Sequence, residues 1–190
     1  MHASLKYAGA ASAVALAVSI AIAAGPAAET EHDKYTVKVP GGLAFSEFRG
    51  YENWQLVSVS QNNGAFAAIL GNAAMIDAFR AGGPGNGKPF PDGAKMAKIH
   101  WEPKMSEKAP GPTTVPGTLH DVDFMAKDSK RFADSGGWGY GAFKYDAAAD
   151  SFTPATTTDQ PPQANDAKCG FGCHTIVKAR DYVFTEYGRR

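Results

Sequence analysis

The sequence predicts an α+β domain built mainly on antiparallel β-strands with a few short helices. Three observations carry this reading. Apolar runs of strand length recur between residues 51 and 145, separated by glycine- and proline-rich breaks. One break is Asn63-Gly64, a dipeptide suited to the positive φ angles of a two-residue hairpin turn. Helical spacing of apolar residues is confined to 73–80 and 175–187.

In chain order, Tyr35–Val39 reads as a short strand, and Tyr51–Ser60, with Trp54, Leu56, Val57 and Val59, as a second. Ala65–Leu70 is its return across the Asn-Gly turn. Asn72 is placed to cap a helix over Ala73–Arg80, which Gly82-Gly83 ends. The stretch 82–93 is glycine-rich, but its prolines and the absence of a following helix make it a surface loop and not a phosphate loop. Ala94–Glu102 reads as a strand, Lys104–Gly117 as a proline-rich loop, and Leu119–Met125 as a further strand. Asp128–Ala133 is expected as a short helix opened by Asp128 or Ser129, followed by an aromatic strand over Gly139–Tyr145. Thr153–Ala167 is a long polar connection of the kind that serves a site. Ile176, Ala179, Val183 and Tyr187 then predict an amphipathic closing helix.

The 19 basic and 19 acidic side chains cancel, which argues against a nucleic-acid surface or a polyanionic substrate. Lys6, the apolar run Ala8–Ala24 and the small-x-small triplet Ala21-Ile22-Ala23 read as a secretory signal over residues 1–24. The mature chain, 25–190, is then one exported domain, periplasmic and free of any further membrane segment. Both cysteines of the sequence lie near its end, and in an oxidising compartment such a pair forms a disulfide or attaches a cofactor.

Those cysteines stand in Cys169-Gly-Phe-Gly-Cys173-His174. Covalent haem attachment uses two cysteine sulfurs and an adjacent histidine that ligates the iron, ordinarily with two residues between the cysteines. Here there are three, and Gly170 and Gly172 give the backbone room for the extra residue. A Cys169–Cys173 disulfide remains open on this stretch alone. A zinc site would have to recruit His32, His100 or His120, which lack the usual spacing.

The segments ILGNAAMIDAFRAG, GNGKPFPDGAKMAKIHWEP, AKDSKRFADSGGWGYGAF and CGFGCHTIVKARDYVFTEYG resemble the cytochrome P-460 family, related to the beta-type cytochromes c-prime. The resemblance covers nearly all of the mature chain. It implies a homodimeric, mostly antiparallel sheet domain holding one haem c through Cys169 and Cys173, with His174 as iron ligand and the other iron face open. It also implies that Lys98, in FPDGAKMAK, occupies the position of a lysine joined covalently to the porphyrin edge in the enzymatic members. Strand alternation by itself groups Lys98 with Met96, His100 and Glu102 opposite Ala97, Ile99 and Trp101, an ordinary solvated face.

The function implied is oxidation of hydroxylamine or a related small nitrogen compound, with electrons leaving to a small periplasmic cytochrome. Asp166 is the carboxylate nearest before the first cysteine and the candidate base. The alternatives are a haem protein that binds nitric oxide without turnover, in a pocket built by Phe45, Phe48 and Phe143, or an electron-transfer cytochrome. The latter would need a sixth iron ligand from Met75, Met96, Met105 or Met125.

Overall fold

A computed structural model describes residues 33–39, 42–62, 64–155 and 167–190, with the backbone alone for 167–169. The expected signal over residues 1–24 and Asp166 lie outside the described residues. Six antiparallel strands form one sheet in sequence order: β1 (Gln55–Asn62), β2 (Ala65–Gly71), β3 (Lys95–Met105), β4 (Thr114–Lys127), β5 (Trp138–Asp146) and β6 (Ser151–Pro154). Helix α1 (Ala73–Arg80) joins β2 to β3, and α2 (Ala167–His174) carries the cysteine motif. The α+β, mainly antiparallel architecture agrees with the sequence reading. Among the described residues no helix is long and apolar enough to cross a membrane.

Local signals set the first half. Asn62 pairs with Ala65, and Gly64 takes φ +77°; Asn63 of the expected turn lies outside the described residues. The Asn72 side chain accepts the Met75 and Lys95 N–H groups and donates to the Gly93 carbonyl. It therefore caps α1 and stitches that cap to the start of β3. Gly82, at φ +95°, ends the helix, and Gly83 N–H returns to the Ala78 carbonyl.

Each face of the sheet buries its own core. On one side Phe45, Phe48, Val122, Phe124, Phe132 and Phe143 pack under the N-terminal segment, with Phe48 stacked on Phe124 at 4.0 Å between ring centroids. On the other, Val57, Ile69, Met96, Met125, Trp138 and Tyr140 pack against α1 and the C-terminal segment.

Several expected elements are different. Tyr35–Val39 is no strand: Lys34–Thr36 forms a 3-10 turn, with Asp33 capping the Tyr35 N–H. The expected loop Lys104–Gly117 is mostly strand, because β3 runs to Met105 and β4 starts at Thr114. Pro103 lies opposite Pro116 next to a register slip, the kind of irregular position at which strands tolerate proline. At Asp128 the side chain does cap the Lys130 and Arg131 N–H groups, but a single turn leads only to a 3-10 turn at Ala133–Ser135. Gly136 and Gly137, both with positive φ, stop it.

The closing helix over 175–187 is also absent. Thr175–Arg180 is 3-10, broken at Val177, and Asp181 and Tyr182 both adopt left-handed backbone at φ +48° and +63°. Ile176 is left 80% exposed, while Val183 and Tyr187 reach the core from a segment without regular structure. The stretch 82–93 is a loop as expected, yet Phe90 within it is buried between Phe79 and Trp138.

Replacing Asn72 with Ala removes an acceptor shared by two N–H groups, and stability should fall by about 1–2 kcal/mol. Urea unfolding measures this, and an unchanged midpoint would show that the cap is not holding α1 to β3.

Candidate functional site

The site is a cleft between the sheet and the C-terminal segment, on the face opposite the phenylalanine core. It holds roughly 640 Å³ of open space counted out to its mouth. Met96, Lys98, Met125, Tyr140, His174 and Val183 are among its lining residues.

The strand register explains the lining. On this face Gly71, Met96, Met125 and Tyr140 form one cross-strand row. Ile69, Lys98, Asp123 and Ala142 form the next, and Ala67, His100, Asp121 and Lys144 the third. The row beside the core is apolar, the middle row brings one cation and one carboxylate into the cleft, and the outer row is polar. Lys98 is thus half-buried in a cleft and not on a solvated face, and Met96 beside it is buried. The alternation of the strand is as expected, but the C-terminal segment covers the face.

His174 closes the cleft from the other side. Its ring lies 5.1 Å from that of Tyr140 and 4.9 Å from that of Phe184. Its Nδ1 is 2.6 Å from the Tyr182 carbonyl oxygen. A carbonyl only accepts, so Nδ1 carries the proton and Nε2 keeps its lone pair for a metal. Burial holds His174 below the ordinary histidine range; the Tyr182 carbonyl opposes this, and the charge of Lys98 adds to it. A neutral imidazole near a lysine suits an iron ligand.

Helix α2 places positions 169 and 173 one turn apart, and Cys173 carries a free, exposed thiol. Gly170 and Gly172 do not adopt left-handed backbone to fit the longer spacing, since α2 is a regular helix. Gly170 is needed for contact: a Cβ there would lie 2.7 Å from the Tyr140 ring. At Gly172 the space is open.

The residues fit a haem. The cleft is largely apolar, its histidine presents the correct nitrogen, and the buried Tyr140 hydroxyl has no hydrogen-bond partner among the described residues. Burial pushes that phenol far above its usual range.

Other sequence candidates fall elsewhere. Phe45, Phe48 and Phe143 sit in the opposite core and do not line the cleft. Met75 is core and Met105 is exposed, whereas Met96 and Met125 do line it. Sequence reasoning missed Asp123, the one carboxylate among the lining residues, although the alternation Asp121, Asp123, Met125 in β4 carries the signal. Behind it, His100 Nδ1 hydrogen-bonds Asp121 and lies 3.8 Å from Asp123, and the other Asp121 oxygen meets His120 Nδ1 at 2.6 Å. Burial would raise Asp121, but the two histidines outweigh it and hold the carboxyl below its ordinary value.

Gly170→Ala should force α2 away from Tyr140, destabilising the protein by about 1–3 kcal/mol and cutting haem loading at least by half. The haem-to-protein absorbance ratio and thermal unfolding read this; wild-type values in both would mean that α2 does not rest on β5.

No curated protein matches the sequence. The family model for Cytochrome P460 matches residues 48–185, which spans every strand and the histidine of this cleft. The chain therefore belongs to the cytochrome P460 family, whose cofactor is haem.

Proposed function

We propose that this protein is an exported, periplasmic mono-haem c cytochrome that oxidises hydroxylamine or a related small nitrogen compound. Cys169 and Cys173 hold the haem and His174 ligates its iron. Lys98 is joined to the porphyrin edge. The observation that carries the reading is that Lys98 and His174, 76 positions apart in the sequence, line one cleft.

Bound haem would supply a redox-active iron able to take a small ligand. The chain's own residues do the rest. Met96, Met125, Ile69 and Val183 exclude water from the cleft. The Tyr182 carbonyl holds His174 in one tautomer, and burial favours its neutral form. Oxidising hydroxylamine releases protons, and Asp123 is the described carboxylate positioned to accept them, with His100 and Asp121 behind it. This gives the base role to Asp123; Asp166 lies outside the described residues. Electrons leave to a small periplasmic cytochrome, and the protein acts as a homodimer. Leu56 and Val59, exposed on the edge strand β1, support a pairing surface there.

The apolar lining favours a second reading, a haem protein that binds nitric oxide without turnover. An electron-transfer role would draw on Met96 or Met125 as sixth ligand.

Protein made with a haem c maturation system separates these. Its intact mass should show one added haem, less the hydrogens lost in joining Lys98 to the ring. Lys98→Leu should move the red-shifted ferrous Soret band to the ordinary haem c position and abolish hydroxylamine turnover. Asp123→Asn should keep the wild-type spectrum and slow turnover at least tenfold. An unshifted Soret band in wild type would favour nitric oxide binding, and a methionine-to-iron charge-transfer band would favour electron transfer.

A further inference from the structure

His174 hydrogen-bonds to a carbonyl on a turn that a largely buried ion pair outside the cleft ties to the sheet. His174 Nδ1 donates to the carbonyl of Tyr182, which follows the end of the 3-10 turn Thr175–Arg180. That carbonyl faces the ring with Asp181 and Tyr182 both left-handed, a conformation aspartate visits as a single residue but one that is strained for a tyrosine and for two residues in succession.

The support comes from three directions. Both Asp181 carboxylate oxygens accept from Lys127 Nζ, at 2.8 and 3.0 Å, and one also accepts the Phe90 N–H at 2.7 Å. Lys127 is itself 7% exposed, lies over the Trp138 ring, and donates to the Gly136 carbonyl at 3.0 Å. The Tyr182 ring fills the space beside Gly136, where a Cβ would come within 2.2 Å of it. Lys127 ends β4, Phe90 belongs to the loop before β3, and Gly136 precedes β5. Three separate parts of the sheet layer therefore converge on one turn.

The geometry points to Lys127 and Asp181 as positioning residues for the haem iron. By fixing the Tyr182 carbonyl on Nδ1, they set how much electron density His174 passes through Nε2, and so the ferric–ferrous balance. A hydrogen bond from Nδ1 to a fixed carbonyl raises the basicity of the ligand and favours the ferric state. This rests on the proposal that His174 ligates a haem.

The test uses haem-loaded full-length protein and reads the midpoint potential and the ferrous iron–histidine stretching frequency. Asp181→Asn and Lys127→Met should each weaken the Nδ1 hydrogen bond. The stretch should fall, and the equilibrium should move about tenfold toward the ferrous state, roughly 59 mV for one electron. Lys127→Arg, which keeps the charge, should return most of both values. Asp181→Asn is close in shape and still offers an acceptor to Phe90 N–H, so it serves as the folded variant if Lys127→Met does not accumulate. Full haem loading in Asp181→Asn with unchanged potential and stretch would overturn the inference. Wild-type protein that takes up no haem would overturn both it and the reading on which it rests.

Discussion

The Lys127–Asp181 ion pair is the constraint on which the rest of the site depends. Burying two charges is costly, and such a pair is stable only when its remaining hydrogen-bonding capacity is met. Here the ammonium is shared between Asp181 and the Gly136 carbonyl and the carboxylate between Lys127 and the Phe90 N–H, with an indole face against the cation. Breaking such a pair from one side typically costs about 3–5 kcal/mol. That is comparable with the roughly 1–3 kcal/mol by which each of two non-glycine residues opposes a left-handed conformation. The pair can thus offset the strain of a turn whose one visible product is the carbonyl that orients His174. It also explains why Phe90 is buried inside an otherwise exposed glycine-rich loop: its side chain packs on Phe79 and Trp138 while its backbone completes the carboxylate's shell.

The sheet supplies the opposite wall by a simpler rule. Because alternate residues face one side, three successive rows present a gradient from apolar, through one lysine and one aspartate, to a histidine–aspartate group backed by Lys144. A cofactor with an apolar body and a polar edge matches a surface graded in this way. The gradient also separates tasks. Met96 and Met125 keep the inner end dry, Lys98 and Asp123 bring opposite charges into the cleft, and the His100–Asp121–His120 contacts lead from Asp123 to an exposed imidazole. Of the phenylalanine core on the other face, Phe124 also lines the cleft, whereas Phe45, Phe48, Phe132 and Phe143 do not.

What the sequence made legible was what short range decides. The hairpin pairing of Asn62 with Ala65, the Asn72 cap, the Gly82 stop and the alternation of β3 each follow from a few adjacent residues, and each matches the structure. The errors arise where a distant partner overrides a local signal. Prolines at 103 and 116 read as loop because each removes a donor, but they pair with one another at a register break. The spacing of Ile176, Ala179, Val183 and Tyr187 reads as helix, and the tie from Asp181 to Lys127, 54 positions away, stops it. Within the site, CGFGCH stood out by its chemistry, and Lys98 by family resemblance. Asp123 did not, since one carboxylate in a strand is indistinguishable from a solvated one until the covering segment is known.

The longer cysteine spacing then has a structural account that differs from the one glycine content suggests. On an α-helix, residues three and four apart both fall on the face of the first, about 60° to one side and about 40° to the other. Three intervening residues therefore keep positions 169 and 173 on one flank of α2 without any distortion of the backbone, and α2 is undistorted. The following residue turns about 100° further round, which is where His174 meets Tyr140, Phe184 and the Tyr182 carbonyl. Gly170 lies on the side that rests against the Tyr140 ring, where no Cβ fits. One glycine of the motif is thus required by the approach of helix to sheet, and the extra residue shifts position 173 round the helix while the histidine stays on the side of Tyr140 and the Tyr182 carbonyl.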